Sequence, residues 1–210
     1  IIRMDSDTTT TKNAHEKLLY EFENNGDILI GTQMIAKGLD FPKVTLVGVL
    51  AADMSLNLPD YKAIEKTFQL LTQVSGRAGR HDISGNVVIQ TYNPEHYAIM
   101  KAKDHDYHSF YKTEMKIREI SGYTPFYNLT QIIITDADVK KVLKEGTKIV
   151  LKLRKQLEED TQVLGPVLPK IARINNFYRA QIIIKYKQSI KIDEVLKNIY
   201  QEYSEILTIA

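Results

Sequence analysis

The sequence predicts an α/β chain in two parts: a mostly parallel sheet with crossover helices over residues 1–122, then a smaller α+β domain over residues 123–210. Three observations carry this expectation. Short apolar runs alternate with amphipathic helical stretches through the first part, the order of strand–helix–strand units with right-handed crossovers. The run 44–50 (VTLVGVL) is almost wholly apolar, as a parallel strand covered on both faces would be. Finally, Gly122-Tyr123-Thr124-Pro125 interrupts a long charged helical stretch, and turn residues of this kind mark a boundary.

Taken in order, 1–4 is a short apolar strand and 5–11 a polar turn that can cap the next helix. Residues 15–22 set Leu18, Leu19 and Phe22 on one helical face. Gly26-Asp27 closes that helix, and 28–30 is a buried strand ended by Gly31-Thr32. The strand at 44–50 follows, then a helix at 63–74, a Gly85-Asn86 turn and a strand at 87–89. A single charged helix is expected from Glu95 to about Ser121.

The second part reads strand 129–135, helix 137–158, an extended stretch 162–174, strand 177–186 and helix 190–206, with a last strand at 207–209. Asn175-Asn176 predicts a hairpin turn, because Asn tolerates positive φ. The order β-α-β-β-α-β is that of a small ferredoxin-like domain.

Bulk composition constrains function only loosely. Hydrophobic residues make up 43% and charged residues 26% of the 210, ordinary for a globular chain. The formal charge of +2 divides as −2 over residues 1–122 and +4 over 123–210. Cysteine is absent, so disulfides and thiolate zinc sites are excluded, and a cytoplasmic setting is expected. No apolar run reaches the roughly 20 residues of a membrane-spanning helix. The chain opens in a strand-like run without an initiator methionine, and is expected to be a fragment of something larger.

Two stretches carry chemistry. The first, 31–42 (GTQMIAKGLDFP), leaves the end of a predicted strand, where open α/β sheets place ligand loops. Thr32 and Gln33 offer a hydroxyl and an amide suited to a nucleic-acid backbone. Gly38 lets the main chain approach a nucleotide, and Asp40 can accept from a ribose hydroxyl. The second, 73–80 (QVSGRAGR), runs off the end of a helix. Arg77 and Arg80 are three residues apart and can reach one place if the turn stays near-helical. Guanidinium groups stabilise charge on a transferring phosphoryl group. Taken singly, the first is a loop with a Gly and an Asp, and the second a basic helix end answering its own dipole.

Together the two stretches resemble motifs V and VI of superfamily 2 helicases. The wording around Met34, Ala36-Lys37-Gly38 and Phe41-Pro42 is similar to the PriA replication-restart family, as are 3–7 (RMDSD), 90–96 (QTYNPEH), 163–167 (VLGPV) and 177–181 (FYRAQ). The resemblance implies a second RecA-like helicase lobe with a linker helix over 1–122 and an accessory domain over 123–210. It implies Arg77 and Arg80 as arginine fingers; Gly38, Asp40 and Gln73 at ATP; and Thr32, Gln33 and Lys37 near DNA. It further implies ATP and Mg2+ shared with a first lobe, and zinc only in a cysteine-rich module of the longer protein. The expected partners are branched and single-stranded DNA, single-stranded DNA-binding protein and other primosome proteins. The expected activity is ATP-driven 3′-to-5′ movement on DNA.

The sequence holds no GxxxxGK[ST] loop and no DExH box, so the chain alone is not expected to hydrolyse ATP. A RecG-like translocase is the rival within the class, and a non-catalytic DNA- or partner-binding module the rival outside it. A dinucleotide-binding protein is distant, since no GxGxxG follows a strand. The 104–108 stretch (DHDYH) is read as a charged linker helix and not a metal site. In the second part, Arg173, Arg179 and Lys185, grouped with Lys170, Phe177 and Tyr178 about the hairpin, form a candidate nucleic-acid platform. A hairpin with solvated charges is the equal alternative.

Overall fold

A computed structural model describes residues 1–36, 41, 43–76, 85–188 and 191–209. The chain divides into two compact units, Ile1–Glu114 and Met115–Ala210.

In the first unit, β1 (Ile2–Met4) pairs in parallel with β2 (Leu29–Gly31), and α1 (Ala14–Asn25) connects them. Ile2 and Met4 point inward, and Phe22 of α1 meets Phe41 edge-on at 4.9 Å. A second parallel pair joins β3 (Leu46–Val49) to β4 (Asn86–Ile89). Between them run α2 (Asp53–Leu56), which sequence reasoning missed, and α3 (Ala63–Ser75). After β4 come α4 (Tyr97–Lys103) and α5 (Tyr107–Ser121). Phe68, Leu71, Ala98, Ile99, Ala102 and Phe110 form the core here, with Val49 and Ile89 packed against it. Phe68 and Phe110 stack at 3.9 Å.

Two expectations for this unit need correction. Among the described residues, β3 is covered on one face: Leu46 is 61%, Leu50 78% and the neighbouring Val88 59% exposed. The helix expected from Glu95 to Ser121 is broken in two at Asp104-His105-Asp106. His105 takes φ +52, and the Asp106 carboxylate accepts from Ser109 N at 3.0 Å, starting α5 afresh. Of the 104–108 stretch, Asp104 to Asp106 thus form the break, and only Tyr107 and His108 are helical, as the first residues of α5.

The second unit is a five-stranded antiparallel sheet carrying two helices. Its strands are β5 (Asn128–Asp136), β6 (Gln162–Val167), β7 (Arg173–Ile174), β8 (Phe177–Tyr186) and β9 (Leu207–Ile209). Their order is β6-β8-β5-β9, with β7 also on β8. β5 and β8 pair without slippage from Asn128↔Tyr186 to Asp136↔Tyr178. The helices are α6 (Val139–Gln156) and α7 (Ile192–Tyr203). Period-2 alternation sends Ile132, Ile134, Ala180, Ile182 and Ile184 into one core with Val142, Ile149, Leu153, Val195 and Ile199 of the helices. α6 approaches the sheet closely at Gly146, where a Cβ would lie 2.8 Å from Pro166 Cβ. The sequence boundary at Gly122 falls just after α5, and the division between the compact units falls inside that helix.

Candidate functional site

β2 ends at Gly31, paired with Met4 of β1. A Cβ at Gly31 would strike the Met4 carbonyl oxygen, so the strand can end here only with glycine. The chain then turns: Ile35 N donates to Thr32 O at 3.2 Å, opening a 3₁₀ turn over Gln33–Ala36. Thr32 and Gln33 are exposed at the carboxyl end of a parallel strand, the edge where open α/β sheets bind ligands. α3 lies against this turn. Its Phe68 and Leu71 face the core and Gln73 faces solvent. The helix closes at Gly76, whose N–H reaches Thr72 O at 3.3 Å. The fold therefore brings the Thr32–Gln33 turn and the helix bearing Gln73 together. Lys37, Gly38, Asp40, Arg77 and Arg80 lie outside the described residues.

The carboxyl ends of β3 and β4 are fastened by groups that sequence reasoning did not single out. Ala51 takes φ +51, rare for a residue with a Cβ, and its N–H reaches Gln90 Oε1 at 3.3 Å. Asp53 accepts from Thr91 Oγ1 and from Tyr92 N, each at 2.9 Å. The Tyr92 N–H is the main reason its carboxyl is held below the usual range. Tyr92 itself is 99% exposed. His96 Nδ1 accepts from Ala98 N at 3.2 Å, and partial burial lowers its pKa. The only signal for this fastening was the 90–96 text, which carries side chains able to bond back to the main chain.

In the second unit, β7 and β8 form a two-residue hairpin through Asn175 and Asn176, at φ +49 and +68. Both central residues at positive φ give the turn whose twist matches paired strands. Arg173 is exposed, opposite Tyr178 in the ladder, with its guanidinium 5.2 Å from that ring. Phe177 and Lys170 are exposed and Arg179 half-buried. Lys185 departs from this group. It is 6% exposed, its Nζ donates to Ser121 O at 2.8 Å, and it sits 3.7 Å from the centre of the Tyr123 ring. Its ammonium closes the end of α5, so it does not stand on an open face with Arg173 and Arg179.

Among the described residues, no three His, Cys, Asp or Glu side chains gather where a metal could bind, and no helix is long and apolar enough to cross a membrane.

Residues 1–82 match the family described as helicase conserved C-terminal domain. Residues 119–206 match the family described as primosomal protein N C-terminal domain. Replication restart protein PriA of Bacillus subtilis (strain 168) is 53% identical over 204 residues, 97% of this chain and 25% of that protein. PriA of Synechocystis sp. is 44% identical over 201 residues, 95% of this chain and 24% of the relative. PriA of Chlamydia pneumoniae is 42% identical over 197 residues, 93% and 26%. With a helicase region followed by a primosomal region, and such identity over nearly the whole chain, the chain belongs to the PriA replication restart family, spanning about a quarter of its relatives' length.

Proposed function

We propose that this chain supplies the second, RecA-like lobe and the accessory domain of an ATP-dependent helicase that moves 3′ to 5′ on DNA and restarts replication at stalled forks. The supporting observation is at the carboxyl end of β2, where Thr32 and Gln33 stand exposed beside the helix that bears Gln73. The match of 119–206 to the primosomal region favours this reading over a RecG-like translocase. For function we divide the chain at 122/123. The two parallel pairs support a RecA-like lobe. The order β6-β8-β5-β9, antiparallel throughout, supports a ferredoxin-like second domain.

The side chains of this chain suit only part of a nucleotide. Gly38 and Asp40 would meet its sugar, Gln73 would couple it to the lobe, and Arg77 and Arg80 would approach the γ-phosphate. No phosphate loop occurs in the sequence, so ATP and Mg2+ would be held mainly by a first lobe. ATP bound there supplies the free energy of phosphoryl transfer. Arg77 and Arg80 would stabilise charge on the transferring group. Thr32, Gln33 and Lys37 would grip the DNA strand, and the grip would shift as the lobes close and open. Zinc belongs to a cysteine-rich module elsewhere in the longer protein; this chain has no cysteine to hold it. Arg173 and Arg179, with Phe177 and Tyr178, would add a second contact, to DNA or to an acidic tail of single-stranded DNA-binding protein. The relatives' role in replication restart supports other primosome proteins as partners and a place with the chromosome in the cytoplasm.

The test uses the chain alone and a protein of the relatives' full length that contains it. The chain alone should show no ATPase activity above background, with or without DNA. In the long protein, Arg77→Ala or Arg80→Ala should lower kcat at least about 10²-fold while nucleotide binding changes little. An unchanged kcat with weakened DNA binding would reassign both arginines to the phosphate backbone.

A further inference from the structure

The basic residues of the second unit are unevenly placed. α6 carries seven of the 14 cations in residues 123–210 (Lys140, Lys141, Lys144, Lys148, Lys152, Arg154 and Lys155) against one carboxylate, Glu145. Its formal charge is therefore +6, and the rest of the chain stands at −4. Five of these lysines, at 141, 144, 148, 152 and 155, follow the three- and four-residue spacing of one helical face. At 1.5 Å per residue the row is about 21 Å long. Val142, Gly146, Ile149, Val150 and Leu153 occupy the buried face, so the row points away from the sheet. Lys141, Lys144, Lys148 and Lys155 are exposed and Lys152 partly so.

We propose that this lysine face of α6 is a second nucleic-acid contact, a track for the phosphate backbone of a DNA duplex held without regard to base sequence. The proposal rests on the reading that the chain binds DNA, and it adds a surface to that reading. Ammonium groups are point charges without the planar fork that reads base edges, which suits phosphates. About 21 Å corresponds to roughly six base pairs at 3.4 Å each, enough for several phosphates. α6 holds no aromatic residue, and an interfacial membrane helix would want aromatic anchors beside its lysines. Near its carboxyl end α6 forms a groove of about 370 Å³ with α7, lined by Lys152, Lys155, Gln156, Asn198, Ile199 and Glu202. The two amides there add neutral donors for phosphate oxygens.

The counter-charges on the row are replaceable. Lys141 pairs with Asp136 at 2.6 Å, Lys148 with Glu145 at 2.8 Å, and Lys152 with Glu202. All three are surface pairs, which hold weakly and are screened by salt. Among the described residues, Lys144 and Lys155 form no ion pair. Arg179 projects from the opposite side of the sheet, since the alternate residues Ala180 and Ile182 face the helices. The hairpin and the α6 row are thus separate surfaces, and each can be removed without the other.

The test measures binding of the full chain to a labelled duplex of about 30 base pairs by anisotropy, across about 50–200 mM NaCl. Lys144→Gln/Lys148→Gln/Lys155→Gln should weaken binding and flatten the log K against log[salt] slope by about 0.9 per phosphate contact, about 2.7 in all. Glu202→Gln, which frees Lys152, should tighten binding and steepen the slope by up to about 0.9, a gain that damage to the fold could not produce. Arg173→Ala/Arg179→Ala should lower affinity independently, the two losses adding in the combined variant. A triple variant that keeps the wild-type slope, while the hairpin variant loses binding, overturns the α6 track and leaves the DNA reading standing. A wild-type chain that fails to bind duplex at the lowest salt overturns both. Binding to poly-glutamate but not to duplex, lost in the triple variant, would overturn the proposal in favour of an acidic protein partner.

Discussion

Lys185→Met separates a structural cation from a DNA contact. Lys185 is 6% exposed, donates to Ser121 O at 2.8 Å and lies 3.7 Å from the Tyr123 ring centre. Met keeps the unbranched stem and removes the ammonium. The hydrogen bond is one to a charged donor, about 1.5–3 kcal/mol, and a desolvated cation over an aromatic face adds about 2 kcal/mol. Met needs no hydration in the same space, which returns roughly half of that sum. The expected net loss is about 2 kcal/mol, read as a fall in the urea midpoint at unchanged m-value. The salt slope for duplex binding should stay as in wild type, because this ammonium is already engaged within the protein. A variant within about 0.5 kcal/mol of wild type whose salt slope falls by about 0.9 would show the opposite, with the ammonium leaving Ser121 to meet a phosphate.

Further outcomes can be checked by unfolding and by amide exchange. Gly146→Ala puts a methyl 2.8 Å from Pro166 Cβ and 3.1 Å from Ile134 Cδ1; overpacking of about 1–3 kcal/mol outweighs a helix-propensity gain of about 1 kcal/mol. A net loss near 1 kcal/mol is expected, and a stabilised variant would mean that α6 can move outward freely. The Asp106 carboxyl is lowered from 3.8 to about 2 by Ser109 first. A depressed folded-state value means that its contribution is present above pH 3.8 and is lost as pH falls toward 2. Asp106→Asn should therefore flatten the acid limb of stability against pH, and an identical limb in the variant would show that Asp106 does not hold the start of α5. Gly31→Ala should separate β1 from β2, because its methyl meets the Met4 carbonyl oxygen. Amide exchange at Ile2 and Met4 should speed up while β5 and β8 are unaffected; protection unchanged at β1 would refute this account.

How much the sequence disclosed depended on the range of the interaction involved. Asn175-Asn176 was legible because positive φ at two adjacent residues is a local property of Asn, whereas the extended stretch 162–174 before it proved to be two strands, β6 and the two-residue β7. The β5–α6–β6 succession was legible from the change of period from 2 to 3.6. The break at His105 was missed because Asp104 to His108 reads as generally polar. Its one local sign was Asp106 three residues before Ser109, the spacing of a helix cap. Lys185 was misplaced for a different reason. Alternation puts it on the face of β8 shared with Arg179, and what covers it comes from Ser121 and Tyr123, 64 residues away for the hydrogen bond. No local pattern carries that contact. The same limit applies to β3, whose apolar run implied two covered faces although the described residues cover one.

The chemistry on the two compact units suggests a division of labour that neither motif nor composition shows alone. In the first unit, Thr32 and Gln33, proposed for DNA, stand at the turn that ends β2, and the β3 and β4 ends are held by Asp53 and by a strained Ala51. Turns of this kind can shift by small rotations, as a lobe that follows a nucleotide cycle must. The second unit has the longer ladder, a nine-residue register between β5 and β8 and a continuous apolar core. Ten of the 14 cations in residues 123–210 lie on α6, β7 and β8, regular elements whose geometry the core fixes. A fixed cation array suits holding DNA through its backbone while other parts of a longer protein move, and backbone contacts tolerate any sequence passing beneath them. Hence α6 lysine changes should affect the affinity of a full-length protein for DNA far more than its hydrolysis rate at saturating DNA. Changes at Arg77 should do the reverse. Were both to alter kcat alike under saturation, the two units would be acting as one coupled element and this division would fail.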